Sequence, residues 1–147
     1  MKHGFTIIEL LLVVGITLLI AATAAPIYGN LQVSSQLDEN TNQVVQSIRI
    51  ARERSVSGLN NSRHGVRLES DKYILYQGSS YALRDSSYDR EVVLSDALLI
   101  FSTLTNSEVN FSKGAGIPNN TGTTTLRHRL GDERQIIINI FGLIEQE

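Results

Sequence analysis

The sequence predicts an α+β fold in which a long N-terminal helix, with a transmembrane first half, packs against a small antiparallel β domain of one or two sheets. An almost uninterrupted apolar run extends from Phe5 to Ala25. Apolar residues then recur every three or four positions, as in an amphipathic helix, and from His64 onward they alternate with polar residues, as in strands. The length of 147 residues suits one small domain with an appendage.

The apolar run at 5–25 admits three interpretations. A secretory signal peptide would start at Lys2 and be cleaved near Ala24, but the run is longer than the roughly 7–15 residues typical of such signals. An uncleaved anchor fits the length, because 21 helical residues rise about 30 Å, close to the hydrocarbon thickness of a bilayer. Lys2 would then keep the short N-terminal end in the cytoplasm. Neither interpretation explains Glu9, the only charged residue in the run.

Gly4, Phe5 and Glu9 carry the third interpretation. Gly4 followed by Phe5-Thr6-Ile7-Ile8-Glu9 resembles the cleavage motif of type IV prepilins and type II secretion pseudopilins. The resemblance implies that prepilin peptidase cuts between Gly4 and Phe5 on the cytoplasmic side. Residues 1–4 would be the leader, the new N-terminal Phe5 would be N-methylated, and the apolar segment at 5–25 would be kept in the mature protein.

Glu9 is the predicted assembly residue. A carboxylate in a transmembrane helix costs about 2–3 kcal/mol, so such residues usually have a partner. Cleavage before Phe5 creates an amine about 6 Å of helix rise from Glu9. Opposite charges at 4 Å attract by about 4 kcal/mol at an effective dielectric of 20. The family resemblance implies that the glutamate of one subunit meets the amine of the next. The competing explanation is a carboxylate that reaches the surface.

Residues 26–57 are predicted to continue the helix as an amphipathic segment. Pro26 lacks an amide hydrogen and predicts a kink, while Gly58 predicts the end of the helix. The segment carries one stripe at helical spacing that the rest of the chain must cover. The stripe consists of Leu37, Thr41, Val44, Ile48, Ala51 and Ser55.

Residues 58–147 are predicted to form an extracytoplasmic β-rich domain, because period-two patterns alternate with turn residues. Asp85, Asp89 and Asp96 match no calcium-loop spacing, so we expect a solvated acidic loop there. Gly131-Asp132 predicts a hairpin turn, and residues 113–122 predict a loop. The predicted strands cover residues 66–70, 73–76, 91–94, 98–101, 108–111, 123–128 and 135–140.

The order of helix, paired strands and isoleucine-rich final strands resembles the minor pseudopilin H and FimT-like minor pilin group. This resemblance implies a minor pilin or pseudopilin, a structural subunit of a type II secretion pseudopilus or a type IV pilus. Its expected partners are prepilin peptidase, other pilins or pseudopilins of the filament, and membrane lipid. Its expected location is the inner membrane, as a single-pass protein with a cytoplasmic N-terminus and a periplasmic or extracellular C-terminal domain, or within a surface filament.

The alternative function is that of a DNA-binding minor pilin for DNA uptake. Its candidate contacts are Arg127, Arg129 and Arg134, although we expect these arginines to be solvated charges of strand edges and turns. DNA-uptake members of the FimT-like group carry a basic C-terminal motif after a glycine, whereas Gly142 is followed by Leu143-Ile144-Glu145-Gln146-Glu147. With a formal net charge of −2 as well, nucleic acid is not an expected partner.

No catalytic or metal-binding motif occurs in the sequence. The chain has no cysteine and three scattered histidines, and it contains no HExxH, P-loop or GxSxG pattern. A membrane-anchored enzyme is therefore the weakest class of function. We expect no enzymatic activity, no cofactor and no metal, and we expect Tyr73, Tyr76, Tyr81 and Tyr88 to pack the sheets.

Overall fold

The chain divides into two compact units. The computed structural model describes residues 6–147, and of residues 23–28 and 30 it describes only the backbone. The first unit, Met1–Ser35, is called unit 1, and the second, Gln36–Glu147, is called unit 2. The division falls within residues 26–57, the segment predicted to continue the helix as one amphipathic element.

Helix α1, Ile7–Ser57, contributes residues to both units. Thr6 caps its start: the Thr6 hydroxyl accepts the Glu9 N–H at 3.3 Å, and the Thr6 carbonyl accepts the Leu10 N–H at 3.1 Å. Position 26 lies within the assigned helix, so proline does not interrupt the secondary structure there. The helix ends as Gly58 predicts, because Gly58 takes the left-handed conformation (φ 67°) and its N–H bonds to the Ser55 carbonyl.

The predicted transmembrane half of this helix is contradicted. Among the residues whose side chains the structure describes, no helix is both long enough and apolar enough to cross a membrane. The predicted fold class is therefore wrong in this half. The predicted single-pass inner-membrane location is corrected with it.

Unit 2 contains two four-stranded antiparallel sheets. Sheet A has the strand order β3-β2-β1-β5, and sheet B has the order β4-β6-β7-β8. Short 3-10 helices at Leu59–Asn61 and Thr105–Ser107 precede β1 and β5. The strands are β1 His64–Leu68, β2 Lys72–Gly78, β3 Arg84–Val93, β4 Leu98–Ser102, β5 Glu108–Phe111, β6 Gly122–His128, β7 Glu133–Ile138 and β8 Ile144–Gln146.

The core of unit 2 lies between α1 and both sheets. All six residues of the predicted α1 stripe, from Leu37 to Ser55, are fully buried. The four apolar residues of the stripe join inner residues of sheet A, such as Val66, and of sheet B, such as Leu126, in one hydrophobic cluster. Burying one Leu, Ile or Val side chain contributes roughly 1.5–3 kcal/mol. The stripe therefore provides the cover that both sheets need, and its prediction is confirmed.

Strand β3 begins at Arg84, well before the strand predicted at 91–94. Its first half is exposed on nearly every residue, so no period-two pattern marks it in the sequence. The predicted acidic loop is thus mostly an edge strand. Asp85 accepts hydrogen bonds from the Ser87 N–H and hydroxyl, which lower the pKa of its carboxyl. Asp89 pairs with the Arg84 Nε at 2.7 Å, so both carboxylates stabilise the strand locally.

Candidate functional site

The apolar segment of α1, Ile7 to Ile20, is the most unusual surface of unit 1. Its large side chains are 46–81% exposed. The Thr17 hydroxyl donates to the Val13 and Val14 carbonyls at 3.0 and 2.9 Å, so this polar group is satisfied within the helix. The exposed large apolar residues are Ile7, Ile8, Leu10, Leu11, Leu12, Val13, Val14, Ile16, Leu18, Leu19 and Ile20. They occupy every side of the helix, so this surface presents apolar side chains in all directions.

Glu9 is the one charged residue of the apolar segment. It lies in the first turn of α1, and its side chain is exposed among apolar neighbours. An acidic residue is favourable in a first turn, because the helix N-terminus carries partial positive charge. Gly4 and Phe5, the predicted cleavage and methylation positions, lie outside the described residues. The assembly role of Glu9 therefore stays a prediction.

The three arginines proposed for DNA contact do not form one surface. Arg127 lies opposite Glu133 in the β6–β7 ladder, whereas Arg134 lies opposite Leu126, so the two arginines project from opposite faces of sheet B. Each pairs with a carboxylate: Arg127 Nη2 lies 2.8 Å from Glu133, and Arg134 Nε lies 2.7 Å from Asp38. Their charges are largely compensated at these positions.

Arg129 lies in the turn between β6 and β7, beside a second turn residue, Leu130. Its backbone N–H bonds to the Ala97 carbonyl at 2.9 Å, which fixes the turn against the start of β4. His128 is buried, and its Nδ1 accepts the Leu130 N–H at 3.2 Å. The predicted basic cluster therefore consists of one ion pair across the β6–β7 ladder, one ion pair between β7 and α1, and one exposed turn arginine. This is too little positive charge for a phosphate-binding face.

Gly142 is held by contacts that no other residue type would allow. Its φ is 72°, and an added Cβ would lie 2.8 Å from the Gly116 carbonyl oxygen and 2.9 Å from Arg52 Nε. Arg52 Nε itself donates to the Gly116 carbonyl at 3.2 Å. Arg52 thus joins α1 to two loops of unit 2. Leu143, the next residue, is 55% exposed, so the tail after Gly142 presents apolar and acidic side chains.

A buried polar network in sheet A was not predicted from the sequence. Glu108 is 6% exposed; its Oε2 accepts the Tyr81 N–H at 2.9 Å and the Tyr76 hydroxyl at 3.4 Å. Asn110 donates to the Gly78 carbonyl at 2.9 Å and to the Tyr76 hydroxyl at 3.3 Å. Burial raises the pKa of Tyr76, with the Glu108 carboxylate acting in the same direction. The network ties the β2–β3 connection to β5.

Tyr81 is clamped between two arginines at the edge of this network. The guanidinium carbons of Arg84 and Arg67 lie 3.8 and 5.2 Å from its ring centroid. The rings of Tyr76 and Tyr81 meet edge to face at 5.7 Å. Only the tyrosine-rich composition of this region signalled the cluster, because its members come from four separated segments of the chain.

A cleft of about 720 Å³ lies between α1 and the edge of sheet A. Helix residues Asn42, Gln43 and Gln46 line one side, and Tyr73 and Arg90 line the other. The cleft is broad, its accessible lining is more apolar than polar, and it brings no nucleophile together with a general base. Within residues 6–147, no group of three or more histidine, aspartate or glutamate side chains is placed to hold a metal ion.

Comparison with known proteins adds no relative: no protein-family model, no curated protein and no solved structure matches this chain.

Proposed function

We propose that the chain is a structural subunit of a helical filament of the type IV pilin or type II secretion pseudopilin kind, without catalytic activity of its own. In this proposal, prepilin peptidase cuts between Gly4 and Phe5, and the N-methylated mature chain enters the filament through the apolar segment of α1. The observation that carries the proposal is the all-round exposed apolar surface at Ile7 to Ile20, which contains a single carboxylate.

The exposed apolar surface supports assembly on physical grounds. A helix that is apolar on every side is normally covered on every side, and large apolar patches mark interaction surfaces. Each fully buried large aliphatic side chain contributes roughly 1.5–3 kcal/mol. Packing the apolar segments of neighbouring subunits together would therefore provide a strong drive for polymerisation. The partners in this proposal are other pilins or pseudopilins of the same filament.

Glu9 would fix the axial register between the helices of neighbouring subunits. Packing apolar helices gives little preference for one axial offset over another, because leucine, isoleucine and valine are interchangeable at such contacts. A carboxylate surrounded by apolar side chains is costly unless it is paired. Pairing it with the amine that cleavage creates at Phe5 of a neighbour would satisfy both charges at one offset only. Glu9 therefore sets the register in the proposed filament.

Mass spectrometry of the mature N-terminus tests the processing step. The chain is co-expressed with an active prepilin peptidase, and the intact mass is compared with that from cells lacking the enzyme. We expect the mature chain to begin at N-methylated Phe5. A chain that still begins at Met1 with the peptidase present, or one that begins at Ala25, would refute the proposal.

Exchange of Glu9 tests the assembly step. Glu9→Gln should leave cleavage intact and lower incorporation into sheared filaments at least about tenfold, equivalent to about 1.4 kcal/mol. Glu39→Gln is the matched control, because Glu39 is an exposed carboxylate of α1 within unit 2. Equal incorporation of the two variants would remove Glu9 from the assembly mechanism.

A further inference from the structure

A pocket of about 260 Å³ lies in unit 2 beside the C-terminal end of α1. We call it the His64 pocket. His64 and Tyr76 are its buried residues, Asn60 and Gln77 form a wall, and Arg54 and Tyr88 lie at its sides. None of these residues belongs to the apolar segment of α1, so the pocket serves no part of the proposed filament contact.

His64 supplies an unused polar atom to this pocket. The residue is 2% exposed, and its buried Nδ1 has no hydrogen-bond partner within the described part of the chain. Buried polar atoms of folded proteins are nearly always paired. The backbone of His64 is fixed, because Ser55 Oγ accepts its N–H at 2.8 Å and donates to its carbonyl at 3.2 Å. The backbone that carries the ring therefore has a fixed position, and the buried ring lines the pocket together with a cation.

Arg54 is that cation. Within residues 6–147, its guanidinium is in no ion pair, whereas Arg84, Arg127 and Arg134 each contact a carboxylate. Burial and then the charge of Arg54 lower the pKa of His64, and they outweigh a hydrogen bond to the Gln77 side chain that acts in the opposite direction. The partial negative charge at the C-terminal end of α1 repels an anion only weakly. The Ser55 carbonyl there is already bonded by two backbone N–H groups, from Gly58 and Gly114. The pocket thus presents positive charge and a neutral imidazole.

The pocket wall is held in a costly backbone conformation. Asn60 and Asn61 both have positive φ, 54° and 56°, which is uncommon for residues other than glycine. Asn60 Nδ2 donates to Gln77 Oε1 at 2.8 Å and so joins the short 3-10 helix to β2. Strained residues persist where the surroundings fix them, and they concentrate at binding sites. Here the strain places an amide pair along one side of the pocket.

We propose that the His64 pocket binds a small carboxylate that carries an apolar or aromatic group. The Arg54 guanidinium pairs with the carboxylate, which is the anion whose planar geometry it matches best. His64 Nδ1 hydrogen-bonds to the ligand, and Tyr76 and Tyr88 provide the aromatic surface for the remainder. Tyr88 is 51% exposed, so the ligand has a route of entry from solvent.

Benzoate is the probe for the test, with acetate as the carboxylate that lacks the ring. The full chain, purified in a non-ionic detergent and labelled at histidine with ¹³C and ¹⁵N, is titrated at constant ionic strength and pH. We expect a saturable shift of the His64 ring signals, identified by their loss in His64→Gln, at roughly millimolar benzoate or below. Acetate should bind more weakly. An absent or unsaturable shift, or the same response to chloride, would overturn the proposal.

Two variants separate a specific site from general charge. Arg54→Gln should weaken benzoate binding by about tenfold or more, the effect of losing a charged hydrogen bond. Arg49→Gln, an exposed arginine of α1 outside this pocket, should leave it unchanged. Tyr88→Ala should weaken benzoate and spare acetate. Unchanged His128 signals show that each variant is folded, and equal losses in Arg49→Gln and Arg54→Gln would refute the assignment.

Discussion

Removing the hydroxyl of Ser55 should destabilise unit 2 through a contact between its helix and its first strand. Ser55 is fully buried in the last turns of α1. Its Oγ accepts the His64 N–H at 2.8 Å and donates to the His64 carbonyl at 3.2 Å. Ser55→Ala therefore removes the side-chain partner of both backbone groups of His64 at the start of β1.

The expected loss of stability is about 2 kcal/mol. Leaving a buried donor or acceptor unsatisfied costs about 1–3 kcal/mol, and the stronger of the two bonds is the short one to the N–H. Alanine restores part of the loss, because it is a better helix former than serine by a few tenths of a kcal/mol. For a unit of this size, a change of about 2 kcal/mol corresponds to a fall in Tm of about 8 °C.

Urea unfolding followed by circular dichroism at the β-sheet signal measures this loss. The matched control is Ser57→Ala, because Ser57 is exposed and its hydroxyl bonds only to the Arg54 carbonyl, at 3.1 Å. We expect the control to change stability by less than about 0.5 kcal/mol. A Ser55→Ala variant that unfolds at the same urea concentration as the control would show that the helix-to-strand contact contributes nothing.

Three further predictions follow from contacts within the chain. Gly65→Ala should lower the free energy of unfolding by about 3 kcal/mol or prevent folding, because the added Cβ would lie 2.6 Å from the Tyr76 ring. Gly15→Ala should be tolerated, because nothing lies within 4 Å of the added Cβ. Thermal melts distinguish the two variants. Because burial raises the pKa of Tyr76 above 10.0, the folded state holds that proton more tightly than the unfolded chain. Stability should therefore be full below about pH 10 and fall above it, and Tyr76→Phe, but not Tyr88→Phe, should flatten that fall in urea titrations between pH 8 and 11. Asn139→Ala should destabilise the β7–β8 turn by about 1–2 kcal/mol, as it removes the acceptor of the Phe141 and Leu143 N–H groups, both at 2.9 Å; faster amide hydrogen exchange at those two residues would verify it, and unchanged exchange would contradict it.

The elements that the sequence predicts well are those whose pattern is set by burial on one face. The stripe from Leu37 to Ser55 and the strand at 123–128 fall where the structure places α1 and β6, because each has one face in the core. The first half of β3 was missed for the opposite reason. It is an exposed edge strand held by backbone pairing and local side-chain bonds, and neither leaves a period in the sequence.

The transmembrane half was the wrong part of the prediction, and composition explains the error. An apolar run of the required length predicts a span, although apolar side chains alone specify only that a surface must be covered. The side-chain sites were also hard to predict. Arg127 and Arg134 are close in sequence, but a single register step in the β6–β7 ladder sends them to opposite faces. Tyr76, Glu108 and Asn110 meet only through the strand order of sheet A.

The two parts of α1 differ in whether their apolar side chains are buried or exposed, and this difference suggests different roles for the two units. From Leu37 onward the helix has one apolar stripe, and unit 2 buries it completely within its own core. From Ile7 to Ile20 the apolar side chains point in every direction and are exposed. Unit 2 therefore buries the stripe with its own side chains, whereas the apolar segment would be covered by neighbouring subunits in the proposed filament. In the proposed filament, unit 1 would supply the drive for assembly and unit 2 the surfaces that distinguish one subunit from another. Exchanging the apolar segment for that of another pilin should then preserve polymerisation, while exchanging unit 2 should change the filament that the subunit joins.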